Sequence, residues 1–222
     1  MIPKIIHQIW VGPYRIPKRE LESVRTLKEK LPDWEHHLWT DDARVIMSSN
    51  MQEAYDYYGT LGDYVAQANI LRLFVVKEFG GVYMDIDFDV LAGFEGIDFS
   101  QSDSFFCWHD TDISVCTFPN GVFGGAKGSK IIAHLCKHVH LYLPNGKIHH
   151  HTPWYFGKEI REYFGLPEGA PHLGDDGILK CFEQANVCTI PWKVFETKHF
   201  HHNALYSHSP QNKKKFAAGD YE

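Results

Sequence analysis

The sequence predicts an α/β fold in which helices pack on a mostly parallel β-sheet. Short apolar, β-rich runs alternate along the chain with longer stretches of helical periodicity, which is the trace that parallel strands and their crossover helices leave in a sequence. Hydrophobic residues make up 44% of the 222 positions and aromatic residues 14%, enough for a substantial core. No stretch has the composition of a linker, so one domain over residues 1–222 is expected.

Each element follows in order. IIHQIW (5–10) reads as the first strand, stopped by Gly12 and Pro13. Pro17 opens a helix in which Leu21, Val24, Leu27 and Leu31 recur at helical spacing until Pro32 ends it. HHLWTDD (36–42) reads as a second strand running into a polar turn, where Asp41 or Asp42 could cap a helix over residues 43–58. The longest helical pattern runs from Asp63 to Phe79, with Val65, Ala68, Leu71, Val75 and Phe79 on one stripe. Gly80 and Gly81 then force a tight return into the strand GGVYMD. SFFCW (104–108) and GVFGG (121–125) read as further strands, and KIIAHLCKHVHLYL (130–143) as an amphipathic helix.

Composition excludes several classes of function. A net charge of −6 argues against a duplex nucleic-acid surface, and the basic run Lys213 to Lys215 reads as a solvated tail. No apolar run approaches the roughly 20 residues that span a bilayer, and MIPKIIHQIW resembles a strand more than a signal peptide. A soluble, cytoplasmic protein is the expectation. The 5 cysteines are odd in number and form no CxxC pair, as buried reduced thiols do. Among the 15 histidines, His149–His151, His199, His201 and His202 fall in apparent loops, and His134 and His138 share a helical face. Without an HExxH pattern, a polar or substrate-facing role is favoured over structural zinc. There is also no Walker pattern and no GxSxG elbow.

The informative segment is GGVYMDIDFD (80–89), with Asp85, Asp87 and Asp89 at alternate positions. In an extended chain these carboxylates would share a face and project together from a strand end, as a hard, oxygen-rich cation site. A divalent cation held by few carboxylates keeps positions open for phosphate oxygens. An EF-hand is excluded, because counting from Asp85 puts Val90 where that loop needs Gly and Gly96 where it needs Glu. Ligands of such sheets gather at the carboxyl ends of strands, where Trp10 and Asp85 both fall. Trp10 reads either as a core aromatic or as a flat platform for a nucleobase.

With these residues in hand, the chain resembles the DXD-containing glycosyltransferases of the family 32 type, related to the catalytic domains of clostridial glucosylating toxins. IHQIWVG (6–12), ANILRLFVVKEFGGVYMDID (68–87) and, more weakly, LWTDD (38–42) carry the likeness. The resemblance implies a GT-A fold, with residues 1–90 for the nucleotide sugar and metal and 91–222 mainly for the acceptor and a closing loop. It implies that Ile9 and Trp10 meet the donor, with Trp10 stacked on uracil, and that Arg72 reaches the donor sugar and phosphates. Tyr83 lines the pocket, Asp85 contacts ribose, sugar or metal-bound water, and Asp87 binds manganese, or magnesium, directly. The aspartate usual three residues before the arginine is Asn69 here, at a position that touches sugar hydroxyls. HTPWYFG (151–157) resembles an acceptor-side motif with Thr152 in place of glycine, and YSHS (206–209) offers His208 or Ser207 as a closing metal ligand.

The implied activity is retaining transfer of a sugar from a nucleotide sugar, a UDP-sugar above all, to a glycan, glycoprotein or other hydroxyl acceptor. Arg72, Asp85 and Asp87 carry the chemistry. No base is assigned; Asp175 and Asp176 are the best carboxylates of the second half, with helix capping near Gly177 as their alternative role. A small enzyme of this kind would suit bacterial or viral surface-glycan synthesis. The alternatives are a nucleotide-sugar hydrolase or pyrophosphatase on the same metal site, and a catalytically silent sugar-binding module.

Overall fold

The structure, a computed structural model, describes residues 1–108, 118–137, 153–166 and 178–202. Its centre is a six-stranded sheet in the order β2-β1-β3-β6-β5-β7. The strands are β1 (Ile5–Ile9), β2 (Glu35–Trp39), β3 (Gly81–Met84), β5 (Ser104–Trp108), β6 (Val122–Gly125) and β7 (Val187–Pro191). β1 runs parallel to β2 and β3, and β5 runs parallel to β7, whereas β6 is antiparallel to both of its neighbours. The predicted mostly parallel sheet is therefore present. A second, two-stranded antiparallel sheet pairs β4 (Phe88–Val90) with β8 (Phe200–His202).

The helices are α1 (Lys18–Lys30), α2 (Ser49–Thr60), α3 (Tyr64–Phe79), α4 (Lys130–Lys137), α5 (Pro153–Tyr163) and α6 (Ile178–Gln184). Strand alternation sorts side chains into two cores, one on each face of the sheet. Ile9, Tyr83, Phe106 and Phe123 join α2, α3, α4, α5 and α6 on one face. Ile6, Val82, Met84, Phe105, Cys107 and Val122 join Leu27 of α1 and the aromatic group Phe88, Phe94, Phe195 and Phe200 on the other. The cysteines Cys107 and Cys136 are buried and reduced, and burial pushes both thiols up, Cys136 to about 12.

α3 begins where Asp63 accepts a hydrogen bond from the Ala66 N–H at 3.1 Å and ends at Gly80. Gly80 and Gly81 have φ of +71° and +98°, conformations that favour glycine, and they reverse the chain into β3. The single-stripe expectation for this helix does not hold. Residues 69 to 76 are all buried, while Val65 and Ala68 are half-buried and Phe79 is exposed. α3 is a central helix, covered on one side by the sheet and on others by α2 and α4, so periodicity understates its burial.

Other expectations are corrected similarly. In α1, Val24 and Leu27 are buried but Leu21 is exposed, and Glu20 and Ser23 complete the buried face. The helix expected over 43–58 is broken at Met47–Ser48 into a tight turn over Asp41–Ile46 and α2. Asp41 caps neither, because its oxygens are used elsewhere. The loops expected around Trp154 and His199 are α5 and a helical stretch (Trp192–Val194 continued by Phe195–His199) that runs into β8. Buried His199 pairs through Nδ1 with the Gly93 carbonyl at 2.9 Å, a structural role. Cys116, His138, His149–His151, Thr152, Asp175, Asp176, Ser207, His208 and Lys213–Lys215 lie outside the described residues. Among those described, no helix is long and apolar enough to cross a membrane.

Candidate functional site

The carboxyl ends of the parallel strands β2, β1 and β3 lie side by side, so Trp39, Ile9 and Met84 bring the segments that follow them to one edge of the sheet. Asp85 follows β3 directly, on the face to which Tyr83 also points. The Asp85 backbone N–H donates to the Gly121 carbonyl at 2.8 Å, which fixes where its side chain starts.

Around Asp85 the side chains interlock. The Tyr83 hydroxyl donates to Asp85 Oδ1 at 2.5 Å, and Arg72 Nη2 lies 3.3 Å from the same oxygen. Arg72 comes from α3, is 6% exposed, and places its guanidinium carbon 4.5 Å above the Tyr83 ring centre. Its Nη1 donates to the Asn120 carbonyl at 2.6 Å, and the Asn120 amide donates to Asn69 Oδ1 at 3.4 Å. Two ends of the guanidinium are thereby fixed, while its buried Nε–H meets no acceptor among the described residues. Burial above all holds the Tyr83 hydroxyl well above its usual pKa, with Asp85 and Asp87 acting in the same direction and the Arg72 charge opposing, so it remains a donor to Asp85.

The other carboxylate oxygen of Asp85 packs against a glycine. A Cβ built on Gly121 would stand 2.7 Å from Asp85 Oδ2, so only glycine leaves that oxygen its place. Asp87 lies two residues on and is 4% exposed. Its carboxylate is therefore enclosed. β8 ends at His202, which pairs with Phe88 beside Asp87, so the chain leaves the described region next to this carboxylate.

The expected face of three aspartates is also corrected. β3 stops at Met84, the chain turns at Ile86–Asp87, and β4 begins in the other sheet. Asp89 faces α1, where the Ser23 hydroxyl donates to it at 3.2 Å and Arg19 lies 3.5 Å away. Alternation alone could not reveal the turn, since the apolar residues on either side of it read as continuous strand.

Trp10 follows the last residue of β1 and is half-buried. Its backbone N–H donates to the Trp39 carbonyl at 2.9 Å and its indole N–H to the Tyr14 carbonyl at 2.7 Å. The loop beneath it is tightly pinned. Gly12, at φ +98°, donates its N–H to Asp41 Oδ2 at 3.0 Å, and the Tyr64 ring occupies the space a side chain would need. Asp41 Oδ1 accepts from the Tyr55 hydroxyl at 2.6 Å; burial, then Asp41, raises that tyrosine's pKa. Ile9, by contrast, has its side chain in the core, 5% exposed.

Arg72, Tyr83, Asp85 and Asn69 thus converge, Trp10 and Asp87 lie on neighbouring segments, and His208 lies outside the described residues. Sequence reasoning missed Asn120, Gly121 and Asp41 as parts of the arrangement. The Asn-Gly step before an apolar run marks a turn at residues 120–121, but only the pairing of β6 with β3 brings it to Asp85.

Comparison with known proteins agrees with this geometry. The family described as glycosyltransferase sugar-binding region containing DXD motif matches residues 17–103, which include Asn69, Arg72, Tyr83, Asp85 and Asp87. Inositol phosphoceramide mannosyltransferase 3 of Schizosaccharomyces pombe is 31% identical over 87 residues, 39% of this chain and 24% of the relative. The chain thus aligns with about a quarter of the length of that relative. An uncharacterized glycosyltransferase of Acanthamoeba polyphaga mimivirus is 27% identical over 64% of this chain and 57% of its own. Among solved structures, the PaToxG glycosyltransferase superposes with a TM-score of 0.63 at 21% identity, covering 82% of this chain and 75% of the other. The UDP-bound glycosyltransferase domain of the YGT toxin gives 0.52 at 10% identity, over 85% and 79%. Residues 17–103 are thus similar to the DXD-containing glycosyltransferase sugar-binding family, and the fold of the chain is the GT-A fold.

Proposed function

We propose that the chain transfers a sugar from a nucleotide sugar, a UDP-sugar in the first instance, to a hydroxyl acceptor, with retention of anomeric configuration. The observation that carries this reading is the fixed Arg72–Tyr83–Asp85 cluster at the carboxyl end of β3, beside the strand end that bears Trp10. Arg72 has a buried N–H with no acceptor among the described residues, which suits an anionic oxygen of the donor. Trp10 would carry the base, and Asn69 would meet sugar hydroxyls near Arg72.

The residues suit a divalent cation. Asp85 and Asp87 are hard oxygen donors, and glycine at position 121 gives Asp85 Oδ2 the space it occupies. Manganese or magnesium bound there would neutralise the diphosphate as it leaves. His208 or Ser207 would complete the ligand set from the segment that follows β8. In the transfer, the bond between the anomeric carbon and the diphosphate oxygen breaks, a bond from the acceptor oxygen forms, and a diphosphate oxygen receives the acceptor proton. Arg72 stabilises the charge that develops on the leaving group, while Tyr83 holds Asp85 in one orientation.

The names of the yeast relatives favour a second donor to try. They are named as inositol phosphoceramide mannosyltransferases, one of them 31% identical over 87 residues. Mannose and a lipid-linked inositol acceptor therefore stand beside the glycan or glycoprotein acceptor.

Thermal unfolding with UDP, GDP or CMP, each with and without manganese, tests the reading. Bound nucleotide should raise the melting temperature by mass action, only with metal, and Asp87→Asn should abolish the rise. No response to any nucleotide, or an undiminished response in Asp87→Asn, would reject it. Product analysis then separates transfer from hydrolysis, since free sugar without an acceptor product would mark a hydrolase.

A further inference from the structure

We propose a second cation site, independent of the donor cluster, in which His134 of α4 and Glu159 and Glu162 of α5 bind a divalent transition metal of the zinc class. The donor atoms of these three side chains lie within 4.8 Å of one another. Glu159 and Glu162 are three residues apart on one helix, so they share a face, and His134 meets them from the neighbouring helix.

The geometry is close to what coordination requires. Two ligands each about 2.05 Å from a tetrahedral zinc ion are about 3.3 Å apart. His134 Nε2 and Glu159 Oε2 are 3.2 Å apart. This pair already has the spacing of two ligands on one ion. Glu162 is exposed, so its flexible side chain can close the remaining gap at the cost of little more than rotamer freedom.

Burial supplies the second argument. The side chain of Glu159 is 1% exposed and that of His134 is 17% exposed. Enclosure keeps water from competing for these two donor atoms. The Tyr163 ring meets the imidazole edge-on with centroids 5.5 Å apart, which restrains the orientation of the ring. One imidazole and two carboxylates suit Zn²⁺ and its neighbours, and the exposed Glu162 side leaves a fourth position for water. Such an ion would staple α5 to α4, and thereby to α3, which carries Arg72. Cys136 of α4 already reaches α3, donating to the Leu73 carbonyl at 3.4 Å.

The probe is Zn²⁺ added to the intact chain, followed by calorimetry and thermal unfolding, with Co²⁺ absorption to report coordination. Histidine-rich segments elsewhere can bind zinc, so comparison of variants decides. In an Asp87→Asn background one zinc should still bind and raise the melting temperature. Glu162→Gln, at an exposed position that leaves the fold intact, should weaken that binding about tenfold or more, and His134→Asn should abolish the tetrahedral Co²⁺ spectrum. Unchanged affinity in Glu162→Gln, or loss of all zinc binding in Asp87→Asn alone, overturns the proposal. In that case the His134–Glu159 contact is only an ion pair between helices.

Discussion

His7 makes a quantitative test of the scaffold behind the donor cluster. It is 0% exposed at the centre of β1, with Nε2 2.7 Å from the Gly80 carbonyl and Nδ1 3.0 Å from the Trp39 indole nitrogen. The first contact needs a proton on Nε2, and the second needs a lone pair on Nδ1, because an indole N–H only donates. A second proton would set two donors against each other in a buried place. Burial first of all, with the neighbouring His37 acting in the same direction and Glu35 and the Gly80 contact opposing, lowers the pKa from 6.5 to about 4. The unfolded chain takes up a proton below about pH 6.5 that the folded protein refuses until about pH 4, so this stability is complete above 6.5 and is lost as pH falls. The full difference is worth about 3.4 kcal/mol, of which about 2.4 kcal/mol is lost between pH 7 and pH 4.5. Urea unfolding across that range should therefore show wild type losing about 2.4 kcal/mol more than His7→Gln, whose amide makes both contacts without titrating. Parallel profiles for the two proteins would refute the reasoning, since every other group titrates equally in both.

Further expectations follow from the cluster itself. Tyr83→Phe keeps the ring under Arg72 but removes the donor to Asp85, and should destabilise by about 1.5–3 kcal/mol and weaken metal-dependent nucleotide binding; unchanged binding would mean that Asp85 is oriented without it. Gly121→Ala should reduce metal-dependent binding with the fold preserved, because the new methyl group meets Asp85 Oδ2 at 2.7 Å; circular dichroism and calorimetry separate the two effects. Trp10→Ala should cost about 1–3 kcal/mol of UDP affinity if the ring carries the base, whereas normal nucleotide affinity in a destabilised protein would return it to the core. Asn69→Asp puts a carboxylate one turn before Arg72 and beside Asn120, and should reorder the preference among donors of one nucleotide more than it changes UDP affinity; an unchanged ranking would remove Asn69 from sugar selection.

The sequence by itself determined the fold class, the strand that delivers Asp85 and the helix that bears Arg72, whereas the contact between these two side chains is seen only in the structure. The first three depend on local rules. Two glycines at positive φ join a helix to a strand, alternation puts Tyr83 and Asp85 on one face, and apolar runs of strand length must be buried. SFFCW is β5 to the residue because its ends coincide with polar and turn residues. The tertiary structure alone decided what the aspartates do. Asp89 leaves the group because the chain turns after β3 into another sheet, and Asp87 becomes enclosed there; neither event has a local signature. It also decided the partners from far along the chain. Asn120 and Gly121 reach Arg72 and Asp85 only through the antiparallel pairing of β6 with β3, and Asp41 reaches Gly12 only because β1 and β2 end side by side. The short strands β4 and β8 were invisible for the same reason. Each has three residues, too few for a period, and each exists only because the other is there to take its hydrogen bonds.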